Sequence, residues 1–184
     1  MNAISETQRV QNRFADMLNP RYSVYIVTNI AEDIRASVKS GKTTWEELEF
    51  TEDDVAERLR RTKVRVAIKN FAEMSDPCYS IGTVETFARD IRDLEKSGET
   101  TWRELGFADN DVAVRLRKAK VRTAKVYFAD MSEPFCSVED AKHLAICIRT
   151  MVLGDEVRWE ELELTNEDVA KLLRQAKARA KVYA

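Results

Sequence analysis

The sequence predicts an all-α fold, built as a solenoid-like array of three tandem helical units. Three observations carry that prediction. The phrase Phe-Ala-(Asp/Glu)-Met recurs at Phe14, Phe71 and Phe128, and Trp45, Trp102 and Trp159 keep the same step of 57 residues. Repetition at a fixed period marks architectures whose units bury their apolar faces on their neighbours. Only five glycines and three prolines interrupt 184 residues, and Pro20, Pro77 and Pro134 fall at one place in the repeat. Punctuation this sparse and regular suits helices. Apolar residues such as Val24, Val27, Ile30, Ala31, Ile34 and Val38 follow helical spacing. The expected organisation is a single repeat domain over 1–184, with a half-helix lead at 1–13 and repeats at 14–70, 71–127 and 128–184.

Each repeat is expected to hold a long helix, a shorter helix and a single-turn helix. The long helix starts near Thr51, where Thr51-Glu-Asp-Asp54 reads as a capping box, as does Thr165-Asn-Glu-Asp168. In the second copy Ala108 takes the threonine's place, so Asp109 is the expected cap. Acidic residues crowd the first turn and Arg58, Arg60, Arg61, Lys63 and Arg65 follow, the order the helix dipole favours. Val55, Leu59, Thr62 and Val66 project to one face and Val64, Ala67, Phe71 and Met74 to another, so the helix is expected to run into Phe71-Ala-Glu-Met74 and change packing partners on the way. Proline then stops it.

Ser23, Ser80 and Ser137 are placed to cap the shorter helices, which Gly41, Gly98 and Gly154 end. Gly154 is one position out of register, so the third turn is expected to differ. The single-turn helix is read from Thr-Thr-Trp45-Glu-Glu-Leu48 and its echo at Trp102, closed by an apolar plug at Phe50, Phe107 or Leu164. The tryptophans beside these leucines are expected in the core.

Composition narrows the function classes. With 44% hydrophobic residues the chain fills a core, and a net charge of −2 favours neither nucleic acid nor an acidic membrane in bulk. Apolar runs such as Val24-Tyr25-Ile26-Val27 are far short of a membrane span. Met1-Asn2-Ala3-Ile4-Ser5-Glu6 lacks the regions of a signal peptide, so no membrane partner and a cytoplasmic location are expected. Cys78, Cys136 and Cys147 form neither a disulfide framework nor a zinc motif and are expected as mostly buried thiols. The lead aligns with half of a long helix, and the chain stops at Ala184. These half-helices read as trimmed caps, with head-to-tail self-association as the alternative.

No phosphate loop, nucleophile elbow or metalloprotease motif is present, and no cofactor is expected. The lone histidine, His143, shares a helix face with Glu139 and Cys147, too few ligands to specify a metal site. The expected function is therefore non-enzymatic: a protein-interaction or scaffolding module. Positions that differ between copies are the candidate partner contacts, namely Tyr22, Tyr25, Tyr79, Phe135, Lys142 and His143. The alternative is a nucleic-acid-binding repeat protein whose basic rows follow a phosphate backbone through Arg58, Arg61, Arg65, Arg115, Lys118, Arg122 and Arg179. Against it stand the acidic residues in step with these rows. Glu47, Glu104 and Glu161 recur in step with Arg60 and its counterparts as possible partners, and half-buried interunit ion pairs are expected.

Overall fold

The computed structural model describes residues 4–182, and every regular element among them is α-helical. In order these are α1 (Glu6–Asp16), α2 (Val24–Lys39), α3 (Trp45–Leu48), α4 (Glu52–Glu73), α5 (Ile81–Lys96), α6 (Trp102–Leu105), α7 (Asp109–Ser132), α8 (Val138–Leu153), α9 (Trp159–Leu162) and α10 (Asn166–Val182). None of the described helices is long and apolar enough to cross a membrane. The expectations placed on Met1-Asn2-Ala3 and on the chain end at Ala184 lie outside the described residues.

The helix boundaries follow local chemistry. Ser23, Ser80 and Ser137 hydroxyls accept the backbone N–H of Ile26, Thr83 and Asp140 at 3.3, 3.3 and 3.1 Å, opening α2, α5 and α8. At the start of α4, Asp54 N–H donates to Thr51 Oγ1 at 3.2 Å while Thr51 N–H donates back to Asp54 Oδ2 at 2.8 Å. Thr165 and Asp168 repeat this at α10. The second copy departs from expectation: Asp109 is already the first helical residue of α7, with Ala108 in the capping position. A carboxylate inside the first turn still meets the positive end of the helix dipole.

The turn after the shorter helix also corrects the sequence reading. Gly41 and Gly98 are left-handed, at φ 70° and 75°, but Gly154 is not. The left-handed residue stays in register and is Asp155, at φ 53°. The displaced glycine leaves the turn geometry intact and moves the strain onto an aspartate. The thiols depart too: Cys78 is exposed and Cys136 and Cys147 are half-buried. Cys78 follows Pro77 in a linker, where its N–H donates to Asp76 Oδ1 at 2.8 Å, away from any core.

Contacts divide the chain into two compact units, Met1–Phe71 with Asp90–Ala108, and Ala72–Arg89 with Asp109–Ala184. In the first, Val10, Met17, Val27, Ala31, Ile34, Leu48, Phe50 and Val55 form one buried cluster. Helix α1 packs on α2 and α3, and Phe14 stacks on Phe50 with ring centroids 3.7 Å apart. Trp45 meets the same plug edge-on at 6.1 Å. Later in this unit Phe71 stacks on Phe107 at 3.8 Å beside Trp102. The edge-on Trp45 contact is of the kind that adds to area burial. Helix α4 buries Val55 and Thr62 on one face and Ala67 about a third of a turn away, as the change of packing face requires.

In the second unit α8 packs on α7 and α10, burying Ala141, Ala145 and Ile148. Its core joins Ala124, Met131, Val157, Leu162 and Val169, with Phe128 and Trp159 packed against it. The tryptophans expected in the core are half-buried, with Trp45 and Trp159 packed against the core of their units.

Candidate protein-interaction surface

Most of the recurring cations face inward. Arg58 donates to the Phe14 carbonyl at 2.5 Å and lies over the Phe14 ring, 3.5 Å from its centroid. Arg65 donates to the carbonyls of Asn19 and Tyr22 at 3.4 and 3.1 Å. In the second unit Arg115 reaches Ala72 O and Ser75 Oγ at 3.3 and 3.0 Å, and Arg122 reaches Ser75 O and Asp76 O at 3.2 and 3.1 Å. Arg179 reaches Met131 O and Glu133 O, both at 3.3 Å. These carbonyls lie at or just past the ends of α1, α4 and α7, where a helix leaves its last acceptors unpaired and its dipole favours a cation. The arginines clamp helix ends. Arg61 instead pairs with Glu57 at 2.7 Å and remains exposed, as does Lys118.

Two of the recurring carboxylates, Glu104 and Glu161, pair with the basic rows. Arg60 meets Glu104 at 2.5 Å and Glu57 at 2.7 Å, and Lys63 pairs with Glu99. Arg117 binds both oxygens of Glu161 at 2.8 Å, the fork geometry that makes arginine–carboxylate pairs strong. Hydrogen bonds from Arg60 and Arg61 pull the Glu57 carboxyl from 4.5 to about 2. Arg117 does the same for Glu161, also to about 2. Lys120 is buried. Desolvation opposes its charge, yet hydrogen bonds to Glu156 at 2.7 Å and Glu85 at 3.0 Å hold it above its ordinary value.

The candidate partner contacts separate into two groups. Tyr22 packs against the core of the first unit while Arg65 holds its carbonyl. Tyr79 meets Phe87 edge-on at 5.4 Å and lines a cavity of about 300 Å³ with Arg122 and Tyr127. Both tyrosines have structural partners. Tyr25, by contrast, is 74% exposed, at the mouth of a groove of about 540 Å³ in the first unit. Val24, Val66, Ile91 and Leu94 give that groove apolar walls, and Asp90, Asp93 and Glu99 edge it.

Lys142 and His143 stand on α8, and Phe135 lies in the turn before it. Phe135 is 97% exposed. Lys142 pairs with Glu139 at 2.5 Å, and exposed His143 places Nε2 3.6 Å from Cys147 Sγ. Glu139 is thereby drawn to the lysine, and among the described residues no group of three metal-ligating side chains converges. Sequence reasoning missed two further residues of α8, Ile146 and Leu153, which are 60% and 87% exposed. Seven residues apart on a helix, they lie on nearly the same line.

A signal for them was available. One and two repeat steps earlier, Ile146 is matched by Arg89 and Glu32, Leu153 by Lys96 and Lys39, and Phe135 by Cys78 and Arg21. Three solvent positions that hold charged or thiol side chains elsewhere have become large and apolar here. Comparison of the chain with protein-family models, curated proteins and solved structures finds no match.

Proposed function

We propose that this protein is a non-enzymatic interaction module: a tandem helical array that docks a protein partner along the outer face of α8. The observation that carries this reading is the exposure of Ile146 and Leu153 along one line of α8, with exposed Phe135 in the turn that precedes it. Scattered exposed apolar residues need no explanation, but an aligned group marks an interaction surface. Three 57-residue units are part of the reading. Its support is the recurrence of one set of contacts: the Phe14–Phe50 and Phe71–Phe107 stacks, and the carbonyl clamps of Arg65, Arg122 and Arg179. A cytoplasmic location belongs to the same reading.

The clamps also weigh against a phosphate track. A guanidinium committed to a helix end has fewer donors for a phosphate, and Arg58, Arg65, Arg115, Arg122 and Arg179 are all so committed. Affinity capture by the full chain from its native lysate, with and without nuclease, tests the choice. A discrete set of proteins that survives nuclease and disappears for an Ile146→Asp, Leu153→Asp variant is expected. Capture abolished by nuclease, or indifferent to those substitutions, would overturn the proposal.

A further inference from the structure

We infer that the partner seated on the α8 face is a second copy of this chain, packed antiparallel about a two-fold axis. The inference rests on the interaction-module reading and adds the identity of the partner. Residues 135, 139, 142, 146, 149 and 153 alternate steps of four and three, the spacing of a helix–helix seam. Phe135 lies just before the helix, whose cap is Ser137, and extends the seam at its N-terminal end.

An antiparallel copy whose axis passes midway between residues 142 and 146 matches 135 with 153, 139 with 149 and 142 with 146. Phe135 then meets Leu153 at both ends of the contact, so apolar surface covers apolar surface. Glu139 meets Arg149. Lys142 lays its aliphatic stem along Ile146 and keeps its ammonium in water. Each contact occurs twice, as a two-fold interface requires.

Charge complementarity chooses this arrangement. A parallel copy would set Glu139 against Glu139 and Arg149 against Arg149, and like charges set against each other disfavour the contact. Arg149 is also suited to an outside carboxylate. Its Nε donates to the neutral Asn166 Oδ1 at 2.8 Å, where one hundred and fourteen residues earlier Arg35 pairs with the Glu52 carboxylate at 2.7 Å. On the other side, Glu139 is 81% exposed, and its local pair with Lys142 is a surface pair that contributes little and yields readily to a new partner. One 16-residue helix per copy makes a contact smaller than the roughly 1,600 Å² of a standard interface, so association should be weak.

Sedimentation equilibrium of the full chain, from low micromolar to several hundred micromolar at low salt, tests this. The weight-average mass should climb from monomer toward twice that value. Ile146→Asp should hold it at monomer throughout, with an unchanged circular dichroism spectrum. Glu139→Arg alone and Arg149→Glu alone should each weaken association about tenfold, and the two together in one chain should restore it. A monomeric mass over the whole range, or a double variant no better than the singles, would overturn the inference. If the chain stays monomeric while lysate capture remains sensitive to Ile146→Asp, the module stands with a different partner. Loss of both removes both readings.

Discussion

Among the described residues, three outside glycine adopt left-handed backbone conformations, and their places are informative. Glu49 and Glu163 close α3 and α9 at φ 61° and 59°, while Gly106 closes α6 at φ 80° in the same register. Asp155 does so after α8. A Cβ in this region collides with the following carbonyl at a cost of about 1–2 kcal/mol, which glycine avoids. Nothing lies within 4 Å of a Cβ built on Gly106, so any cost there is the backbone's alone. Glycine also has more freedom to lose on folding, and this offsets part of the gain. Glu49→Gly and Glu163→Gly should therefore each raise stability by about 0.5–1 kcal/mol, and Gly106→Glu should lower it by a similar amount. Urea denaturation checks this: the midpoint should move with an unchanged slope. Opposite signs at positions one repeat apart would be hard to obtain from anything but the backbone.

Among the elements, the long helices divide their basic residues between two tasks, and variants separate them. Arg122 closes the end of α4 through the carbonyls of Ser75 and Asp76, whereas Arg61 makes an exposed contact with Glu57. Arg122→Ala should cost about 1–2 kcal/mol, since charged hydrogen bonds to otherwise unpaired carbonyls are lost. Arg61→Ala should stay within about 0.5 kcal/mol. Equal and negligible effects on stability would return both residues to the phosphate-contacting alternative. Helices, serine caps and the local packing of the tryptophans were legible in the sequence because their causes lie within a few residues. The arginine clamps were not, because their carbonyl acceptors are 43 to 48 residues away and no side-chain pattern reports them. The α8 face was half legible. Phe135, Lys142 and His143 stood out as differences between copies, but Ile146 and Leu153 read as ordinary apolar helix positions until set beside Glu32, Arg89, Lys39 and Lys96. The expected Asp109 cap and the expected change of turn at Gly154 failed for a related reason: local residue type does not reveal that the surrounding register holds a cap or a turn in place.

For the whole molecule, the balance of 30 basic and 32 acidic residues matters less than where the pairs sit. Glu57 and Glu161 are held at about 2 against an ordinary 4.5, by Arg60 and Arg61 in one case and Arg117 in the other. Glu104 is lowered by Arg60 and Thr100, and Asp54 and Asp168 by the threonines they cap. In each case the folded state holds its proton less tightly than the unfolded chain. The resulting stabilisation is complete above the unfolded values near 4, and it is lost as pH falls through the folded ones. Lys120 has the opposite sign: raised in the fold by Glu156 and Glu85, it contributes below its ordinary 10.5 and loses that contribution at higher pH. The urea midpoint should therefore be level between about pH 5 and 9 and fall steeply between about 4.5 and 2. Glu161→Gln should lower the neutral plateau and make the acid descent shallower, because its share no longer titrates. A midpoint unchanged down to pH 2 in the native chain would mean that these pairs are equally formed in the unfolded ensemble and do not hold the helices together.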